Sequence, residues 1–172
     1  MEQKRWRAAV VTLSDKGYAG EREDKSGPLI CDMLRQAGYE VVETMILPDE
    51  IGEIKECPCK LCDEIRVDIV FTTGGTGLSP RDCAPEATLA VAARNVPGIA
   101  EAMRLASLQI TPRAMLSRGV SVIRNETLII NLPGSPKAAR ENLEAVLPSL
   151  DHGLAILKGR AGECGHESDE TK

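Results

Sequence analysis

Aromatic side chains are almost absent from this chain of 172 residues, which has one Trp, two Tyr and one Phe. Proteins that bind single-stranded nucleic acid stack the bases on aromatic rings, so this scarcity argues against that class. The net charge of −5 also argues against a general affinity for the nucleic acid backbone. We therefore expect no nucleic acid partner, and an anionic substrate would need a few local basic groups.

Long apolar runs are missing too. No run approaches the roughly 20 residues that a transmembrane helix requires, so we expect no membrane partner. The first residues, MEQKRWR, lack the apolar core of a signal peptide, which favours a cytoplasmic location. In that compartment the six cysteines are expected as thiols or metal ligands rather than disulfides. The length predicts a single domain over residues 1–158, followed by a polar tail, residues 159–172, that we expect to be disordered.

The hydrophobic content of 42% is enough for a core, which must consist of aliphatic residues. Apolar strands are predicted at residues 7–13, 39–47 and 67–73, with helices between them. We expect the helix that starts at Ile51 to break or kink near Lys55–Pro58, because an interior proline costs about 3 kcal/mol. Later segments predict a hairpin of strands 120–124 and 127–132, then a helix over 137–147 and a separate piece over 150–157. The fold class is therefore α/β, a three-layer α/β/α arrangement with a mostly parallel sheet plus a late antiparallel hairpin.

The chain is organised around residues 67–85, VDIVFTTGGTGLSPRDCAP. A short apolar strand leads into three glycines in four positions, a polar cluster follows, and an alanine-rich helix begins. This order is typical of a phosphate or nucleotide site at the carboxyl end of a strand. The Walker motif and the dinucleotide fingerprint both fail here, since no lysine follows Gly77 and no third glycine is correctly spaced. A plain glycine turn between strand and helix remains the alternative.

Other polar clusters also follow predicted strands. Ser14-Asp15 comes after the first strand, Asp49 after the second, and residues 133–135 after the last. Ligands of open α/β sheets bind outside the carboxyl ends of the strands, so these clusters are expected to converge with the glycine turn.

Four segments in this order resemble the molybdopterin-binding family that includes MogA, MoaB and the G domain of gephyrin-type proteins. They are AAVVTLSDKGYAGEREDKSGP, MILPDE, TTGGTGLSPRD and NLPGSPKA, and the resemblance covers residues 7–157. It implies a molybdopterin adenylyltransferase of molybdenum cofactor biosynthesis, which transfers AMP from MgATP to molybdopterin and releases pyrophosphate. It also implies a homo-oligomer, a trimer or a hexamer, and hand-over of the product to a metal-insertion protein.

Adenylyl transfer needs backbone donors for phosphate, a divalent metal and cations for the charge that develops on pyrophosphate. By resemblance, Asp49 and Asp82 are the catalytic residues, and their hard oxygens are suitable ligands for Mg²⁺. Arg81, Lys25 and Lys137 are candidate anion partners. The predicted nucleotide- and pterin-binding residues are Ser14, Asp15, Asp24, Ser26, Gly27, Thr73, Gly74, Gly75, Thr76, Gly77, Ser79, Arg81, Pro133, Gly134 and Ser135.

Each assignment has a purely structural alternative. Asp49 and Asp82 can instead cap the helices that follow them, and Asp24 with Ser26 can form an ordinary helix start. Residues 133–135 can form a simple strand-to-helix turn, with Ser135 making no contact to a pterin phosphate.

Two other functions remain open. One is a MoaB-type protein that binds the pterin with weak or no adenylation. The other is a thiol-dependent metal or redox module built on Cys57, Cys59 and Cys62, a C-x-C-x-x-C cluster in a segment where the family has a plain helix. Such a site would need a fourth ligand from elsewhere, such as Cys164 or His166.

Overall fold

A computed structural model describes residues 5–160 of the chain, and it contains a six-stranded sheet. The strands are β1 (Arg7–Leu13), β2 (Glu40–Leu47), β3 (Ile69–Thr73), β4 (Arg94–Asn95), β5 (Ser121–Arg124) and β6 (Thr127–Leu132). Their order across the sheet is β2-β1-β3-β6-β5-β4. Strands β2, β1, β3 and β6 run parallel, whereas β5 pairs antiparallel with β6, and β4 antiparallel with β5. The predicted mostly parallel sheet with a late hairpin is confirmed.

Helices cover both faces of the sheet, which gives the three predicted layers. The helices are α1 (Asp15–Tyr18), α2 (Ser26–Gln36), α3 (Ile51–Lys60), α4 (Ala84–Ala90), α5 (Pro97–Leu108) and α6 (Pro136–Leu157), with a 3₁₀ turn at Pro112–Leu116. Alternate residues of β1 enter opposite cores, as the two-residue period of a strand requires. Ala8 and Val10 pack with α2, α5 and α6, whereas Ala9 and Val11 pack with α3 and α4.

Of the break or kink predicted near Lys55–Pro58, the break is wrong. Helix α3 continues through Pro58 and passes directly into a π-helical turn, Leu61–Ile65. Ile54 and Leu61 are both 1% exposed and lie on either side of the proline. Burying each such side chain stabilises by about 1.5–3 kcal/mol, which together offsets the roughly 3 kcal/mol cost of an interior proline.

The predicted division of the last helix is also wrong. Helix α6 is one element of 22 residues with Pro148 inside it. Val146 and Leu150, on either side of that proline, are buried in the larger core. Burial of these two side chains again offsets the cost of an interior proline, so the helix is continuous where proline alone predicted an end.

The helix α1 and the two-residue strand β4 have no counterpart among the predicted elements. No helix within residues 5–160 is both long and apolar enough to span a membrane. The predicted disorder of the tail falls mainly on residues 161–172, which lie outside the described part of the chain.

Candidate functional site

A cleft of about 580 Å³ lies at the carboxyl edge of the parallel strands. The loops that follow β1, β2, β3 and β6 all reach it, so the clusters predicted to converge do so. Its lining includes Ser14, Asp24, Ser26, Asp49, Thr73, Gly74, Gly75, Asp82, Gly134 and Ser135 from the predicted set, together with Arg22, Glu23 and Lys25.

Gly74 lines this cleft where two other backbone segments approach it closely. Its φ of +104° belongs to the region that side chains rarely adopt, and a Cβ there would lie 2.3 Å from the carbonyl oxygen of Leu13. A Cβ on Gly134 would lie 3.2 Å from Gly74 Cα, so the two loops meet backbone to backbone. The glycine loop is therefore more than a flexible connection, since its geometry admits only glycine at position 74.

The backbone donors of this loop differ in their availability. Gly74 N–H donates to the carbonyl of Leu132 at 3.1 Å, so it is not available as the predicted phosphate donor. The N–H groups of Gly75, Thr76 and Gly77 have no acceptor within residues 5–160. Three consecutive amides without an acceptor can bind the oxygens of an anion.

Asp49 joins the loops after β1 and β2 rather than capping a helix. Its Oδ2 accepts a hydrogen bond from Asp15 N–H at 3.0 Å, and its own N–H donates to Asp15 Oδ1 at 2.9 Å. Helix α3 is instead preceded by Glu50, which makes no side-chain cap, so the alternative role for Asp49 is wrong. Burial raises the pKa of Asp49, and the nearby charges of Asp15 and Asp82 add to that increase.

Asp82 holds the end of the glycine loop. Its Oδ2 accepts from Ser79 N–H at 2.9 Å and would lie 2.8 Å from a Cβ on Gly77. The N-cap position of α4 is Cys83, without a side-chain cap, so Asp82 does not cap that helix.

The two carboxylates fit a Mg²⁺ ion by their chemistry. Asp49 and Asp82 each have one oxygen engaged by a backbone amide, and each has a second oxygen with no hydrogen bond to residues 5–160. Burial, together with the charges of Asp15 and Asp82, raises the pKa of Asp49, and a cation beside these carboxylates would offset that cost. The described residues contain no group of three or more His, Cys, Asp or Glu suited to a metal. Mg²⁺ would thus depend on two carboxylates, water and substrate phosphates, an arrangement usual for this ion.

Arg81 is paired with carboxylates instead of being open to an anion. Its Nε and Nη2 donate to both oxygens of Asp15 at 3.0 and 2.9 Å, and Nη2 also donates to Glu50 at 2.8 Å. These contacts lower the pKa of Asp15 and raise the pKa of Arg81.

The other candidate anion partners differ in position. Lys137 pairs with Glu141 at 3.8 Å. The cations that line the cleft are Lys25, as predicted, and Arg22, which the sequence did not single out.

The loops before α2 and after β6 are held to each other. Asp24 Oδ1 accepts from the N–H groups of Ser26 and Gly27 at 3.1 and 3.0 Å, which is the arrangement of an ordinary helix start. The Ser26 hydroxyl then donates to the carbonyl of Gly134 at 2.7 Å, and the Thr73 hydroxyl donates to that of Pro133 at 2.7 Å. These residues fix the loop that was predicted to contact the pterin.

Two serines in the predicted set act as helix caps. Ser14 Oγ accepts from Gly17 N–H at 3.0 Å before α1, and Ser135 Oγ accepts from Ala138 N–H at 3.3 Å before α6. Their hydroxyl protons are still able to donate to a ligand. The binding roles of the residues in this cleft stay predictions, since capping and ligand contact are compatible.

Sequence reasoning missed Arg118, which contacts the glycine loop from the segment before β5. Its Nε donates to the carbonyl of Gly77 at 2.7 Å and its Nη2 to that of Asp82 at 2.8 Å. The sheet topology could have predicted the position of Arg118. Because β5 runs antiparallel to β6, the residues that precede β5 lie at the same edge as the carboxyl ends of the parallel strands.

The cysteine cluster gives no support to a metal module. Cys57 Sγ lies 3.2 Å from Met45 Sδ, and burial raises the pKa of Cys57 to about 12 and that of Cys62 to about 11. Buried thiols with raised pKa values are the unreactive kind. The suggested fourth ligands, Cys164 and His166, lie outside the described residues.

Known proteins resemble the chain over most of its length. A family profile described as "Probable molybdopterin binding domain" matches residues 9–152. The molybdopterin adenylyltransferase of Escherichia coli is 46% identical over 143 residues, which cover 81% of this chain and 73% of that protein. The molybdopterin adenylyltransferase of Helicobacter pylori is 43% identical over 152 residues, which cover 87% and 86%.

Solved structures agree with these sequences. The molybdopterin biosynthesis enzyme MoaB from Thermus thermophilus has a TM-score of 0.86 at 49% identity, covering 90% of this chain and 97% of that one. A structure of MogA has a TM-score of 0.84 at 38% identity, covering 88% and 99%. The chain therefore belongs to the molybdopterin-binding domain family of molybdenum cofactor biosynthesis.

Proposed function

We propose that this protein is a molybdopterin adenylyltransferase that transfers AMP from MgATP to molybdopterin. The observation that carries the proposal is that Gly75, whose amide has no acceptor within residues 5–160, lines one cleft with two carboxylates, Asp49 and Asp82, that each have an unengaged oxygen. The amides of Thr76 and Gly77, which continue the same loop, have no acceptor among these residues either. The relatives named molybdopterin adenylyltransferase, at 43–46% identity, support it.

The chemistry follows from these groups. A phosphate oxygen of the pterin attacks the α-phosphorus of ATP, a P–O bond forms, and the bond from the α-phosphorus to the bridging oxygen breaks with release of pyrophosphate. The N–H groups of Gly75, Thr76 and Gly77 donate to phosphate oxygens and hold them in line. Asp49 and Asp82 would hold Mg²⁺, which supplies neutralisation of the charge on the phosphates. Lys25 and Arg22 add positive charge at the mouth of the cleft.

A MoaB-type protein that binds the pterin and adenylates it poorly is the second candidate. The 49% identity to Thermus thermophilus MoaB favours it, because the MogA structure shares a smaller 38%. Both candidates bind the pterin through residues 133–135, the pterin loop, and they differ in the rate of adenylation.

The finer properties implied by the family belong to the same proposal. We expect a cytoplasmic homo-oligomer, a trimer or a hexamer, that hands its adenylated product to a metal-insertion protein. Five large apolar side chains, 41–66% exposed on α5 and the turn after it, support an oligomer: Leu105, Leu108, Ile110, Met115 and Leu116. Light scattering on the purified protein measures the number of copies.

The deciding experiment is adenylation itself. The protein is incubated without oxygen with molybdopterin and MgATP, and adenylated pterin is detected by mass together with released pyrophosphate. Product that requires both Mg²⁺ and pterin supports the adenylyltransferase. Pterin binding without product contradicts it and supports the MoaB-type candidate.

A further inference from the structure

Arg118 binds the backbone of the glycine loop from outside, at the carbonyls of Gly77 and Asp82. Beyond its bonds to the carbonyls of Gly77 and Asp82, its Nη1 pairs with Glu86 on α4, and its backbone N–H donates to the carbonyl of Thr76 at 2.9 Å. One guanidinium thus contacts both ends of the loop from Gly77 to Asp82 and the helix that follows.

Two side-chain links among the described residues connect this loop to the rest of the site. Leu78, Ser79 and Arg81 are exposed, and within the loop Ser79 and Asp82 accept hydrogen bonds from backbone N–H groups, which fixes the Asp82 carboxylate relative to the loop. The side chain of Arg81 binds Asp15 and Glu50 on the neighbouring loops. Of the two, Arg118 alone binds the loop backbone, at the carbonyls of both Gly77 and Asp82, and so links it to the segment before β5.

The residue type matters for this arrangement. Two carbonyls and a carboxylate around one side chain require donors that diverge in a plane, and the guanidinium provides five in a fixed fork. A lysine ammonium is a compact charge on a flexible stem, so it cannot satisfy all three acceptors at the same distances.

We propose that Arg118 is the positioning residue of the nucleotide half of the site: it sets the Thr76 and Gly77 amides and the Asp82 carboxylate where the Mg²⁺–triphosphate of ATP binds. The proposal rests on the proposed function and adds a residue to it. Arg118 acts through the loop and needs no contact with substrate. The pterin loop, held by Ser26 and Thr73, is independent of it.

A structural role is the competing explanation, and the chain offers a matched control for it. Arg104 on α5 donates from Nη1 to the carbonyl of Gly119 at 2.8 Å. It anchors the residue next to Arg118 through the same kind of bond and contacts no part of the glycine loop.

The test compares Arg118→Met, Arg118→Lys and Arg104→Met. For Arg118→Met we expect the half-saturating Mg²⁺ concentration to rise about tenfold and kcat/KM for ATP to fall about tenfold or more, because small misplacements of positioned groups are costly. The Kd for molybdopterin stays unchanged. Arg118→Lys restores part of the rate, and Arg104→Met lowers Tm without changing the Mg²⁺ dependence. Equal Mg²⁺ curves for Arg118→Met and Arg104→Met would overturn the proposal.

A binding measurement separates this inference from the proposed function. Calorimetry with a non-hydrolysable ATP analogue, with and without Mg²⁺, is made on the wild type and both methionine variants. If the wild type forms no adenylated pterin, the proposed function fails. The positioning role is still supported if Arg118→Met binds the analogue more weakly in the presence of Mg²⁺ and Arg104→Met does not. Analogue binding that is the same in both variants contradicts it.

Discussion

Asp63 and Asp68, at the amino end of the sheet, and Asp49, at its carboxyl end, have opposite electrostatic environments. At the amino end, Asp68 is about 10% exposed and pairs with Lys158 Nζ at 2.9 Å, while Asp63 pairs with Arg124 at 3.0 Å. At the carboxyl end, Asp49 is half-buried and accepts a hydrogen bond from a backbone amide, with no ion pair to any cation among residues 5–160. The pKa of Asp63 is lowered by the Arg124 guanidinium, whereas burial raises that of Asp49.

This difference separates carboxylates that stabilise the fold from carboxylates that destabilise it. A paired carboxylate gains free energy on folding, whereas an unpaired, half-buried one loses it unless a ligand supplies the missing charge. Perturbed, unpaired groups in a cleft are candidates for function. Asp49 meets that criterion by its environment alone, without reference to the family.

The largest expected effect is on the chemistry of the carboxyl end. Asp49→Asn and Asp82→Asn each remove a charge that would hold Mg²⁺, and we expect adenylation to fall at least about a hundredfold, the scale of losing one preorganised electrostatic group. The fold should stay intact, because an amide oxygen can still accept the backbone bond. Asp63→Asn is the control at the other end. A near-normal rate for either site variant would exclude that carboxylate from catalysis.

The next effect is on stability at the amino end. Lys158→Met leaves the Asp68 carboxylate with the Arg7 amide as its remaining strong partner, at 2.8 Å, and we expect a loss of about 3 kcal/mol, as for other buried pairs that lose one member. Urea unfolding measures it, with the exposed Lys55→Met as control. A loss below about 1 kcal/mol would mean that the pair behaves as an exposed one.

The pH dependence of stability should have opposite signs at the two ends. Asp63 has a lowered pKa in the folded state, so Asp63→Asn is less stable than wild type at neutral pH, and the difference disappears as pH falls through that pKa. Asp49 has a raised pKa, so ionising it costs stability above that value. Asp49→Asn is therefore more stable than wild type at neutral pH, and its advantage disappears as pH falls through the raised pKa.

The experiment is thermal unfolding in EDTA from neutral to acidic pH, since bound Mg²⁺ would offset the cost at Asp49. Curves for the two variants should approach wild type from opposite sides. A loss of stability in both variants at neutral pH would show that Asp49 is a stabilising carboxylate like Asp63.

The smallest expected effect on activity comes from the cysteines. Because the pKa values of Cys57 and Cys62 are raised to about 12 and 11, we expect each to react with iodoacetamide at pH 8 at least about a hundredfold more slowly in the folded protein than in urea. Mass spectrometry of labelled peptides measures the rates. The adenylation rates of Cys57→Ala and Cys62→Ala should stay within about twofold of wild type. Rapid reaction of these cysteines with iodoacetamide in the folded protein, or stoichiometric zinc or iron in the purified protein, would support the metal-binding alternative.

The sequence predicted what depends on short-range pattern. The apolar run Ile69–Phe71 indicated a buried strand, and Asn125-Glu126 indicated the hairpin between β5 and β6, both of which the structure contains. The edge at which the site lies followed from parallel topology and from the position of each polar cluster.

What the sequence did not predict depends on contacts between distant residues. Pro58 and Pro148 lie inside continuous helices because neighbouring side chains are buried. The pairing of Arg81 with Asp15 spans 66 positions, and the contact of Arg118 with Gly77 spans 41. Local propensity contains no information about such pairs, so these roles emerge only from the assembled fold.

The backbone crossing of Gly74 and Gly134 has a consequence for how this site can change by mutation. Gly74 has no space for a β-carbon, whereas a β-carbon on Gly134 would require a shift of a few tenths of an ångström from Gly74. A larger residue at position 74 would therefore push the glycine loop and the loop after β6 apart. Substitutions along the cleft wall, such as at Arg22, Lys25 or Ser135, can change substrate preference without altering that spacing.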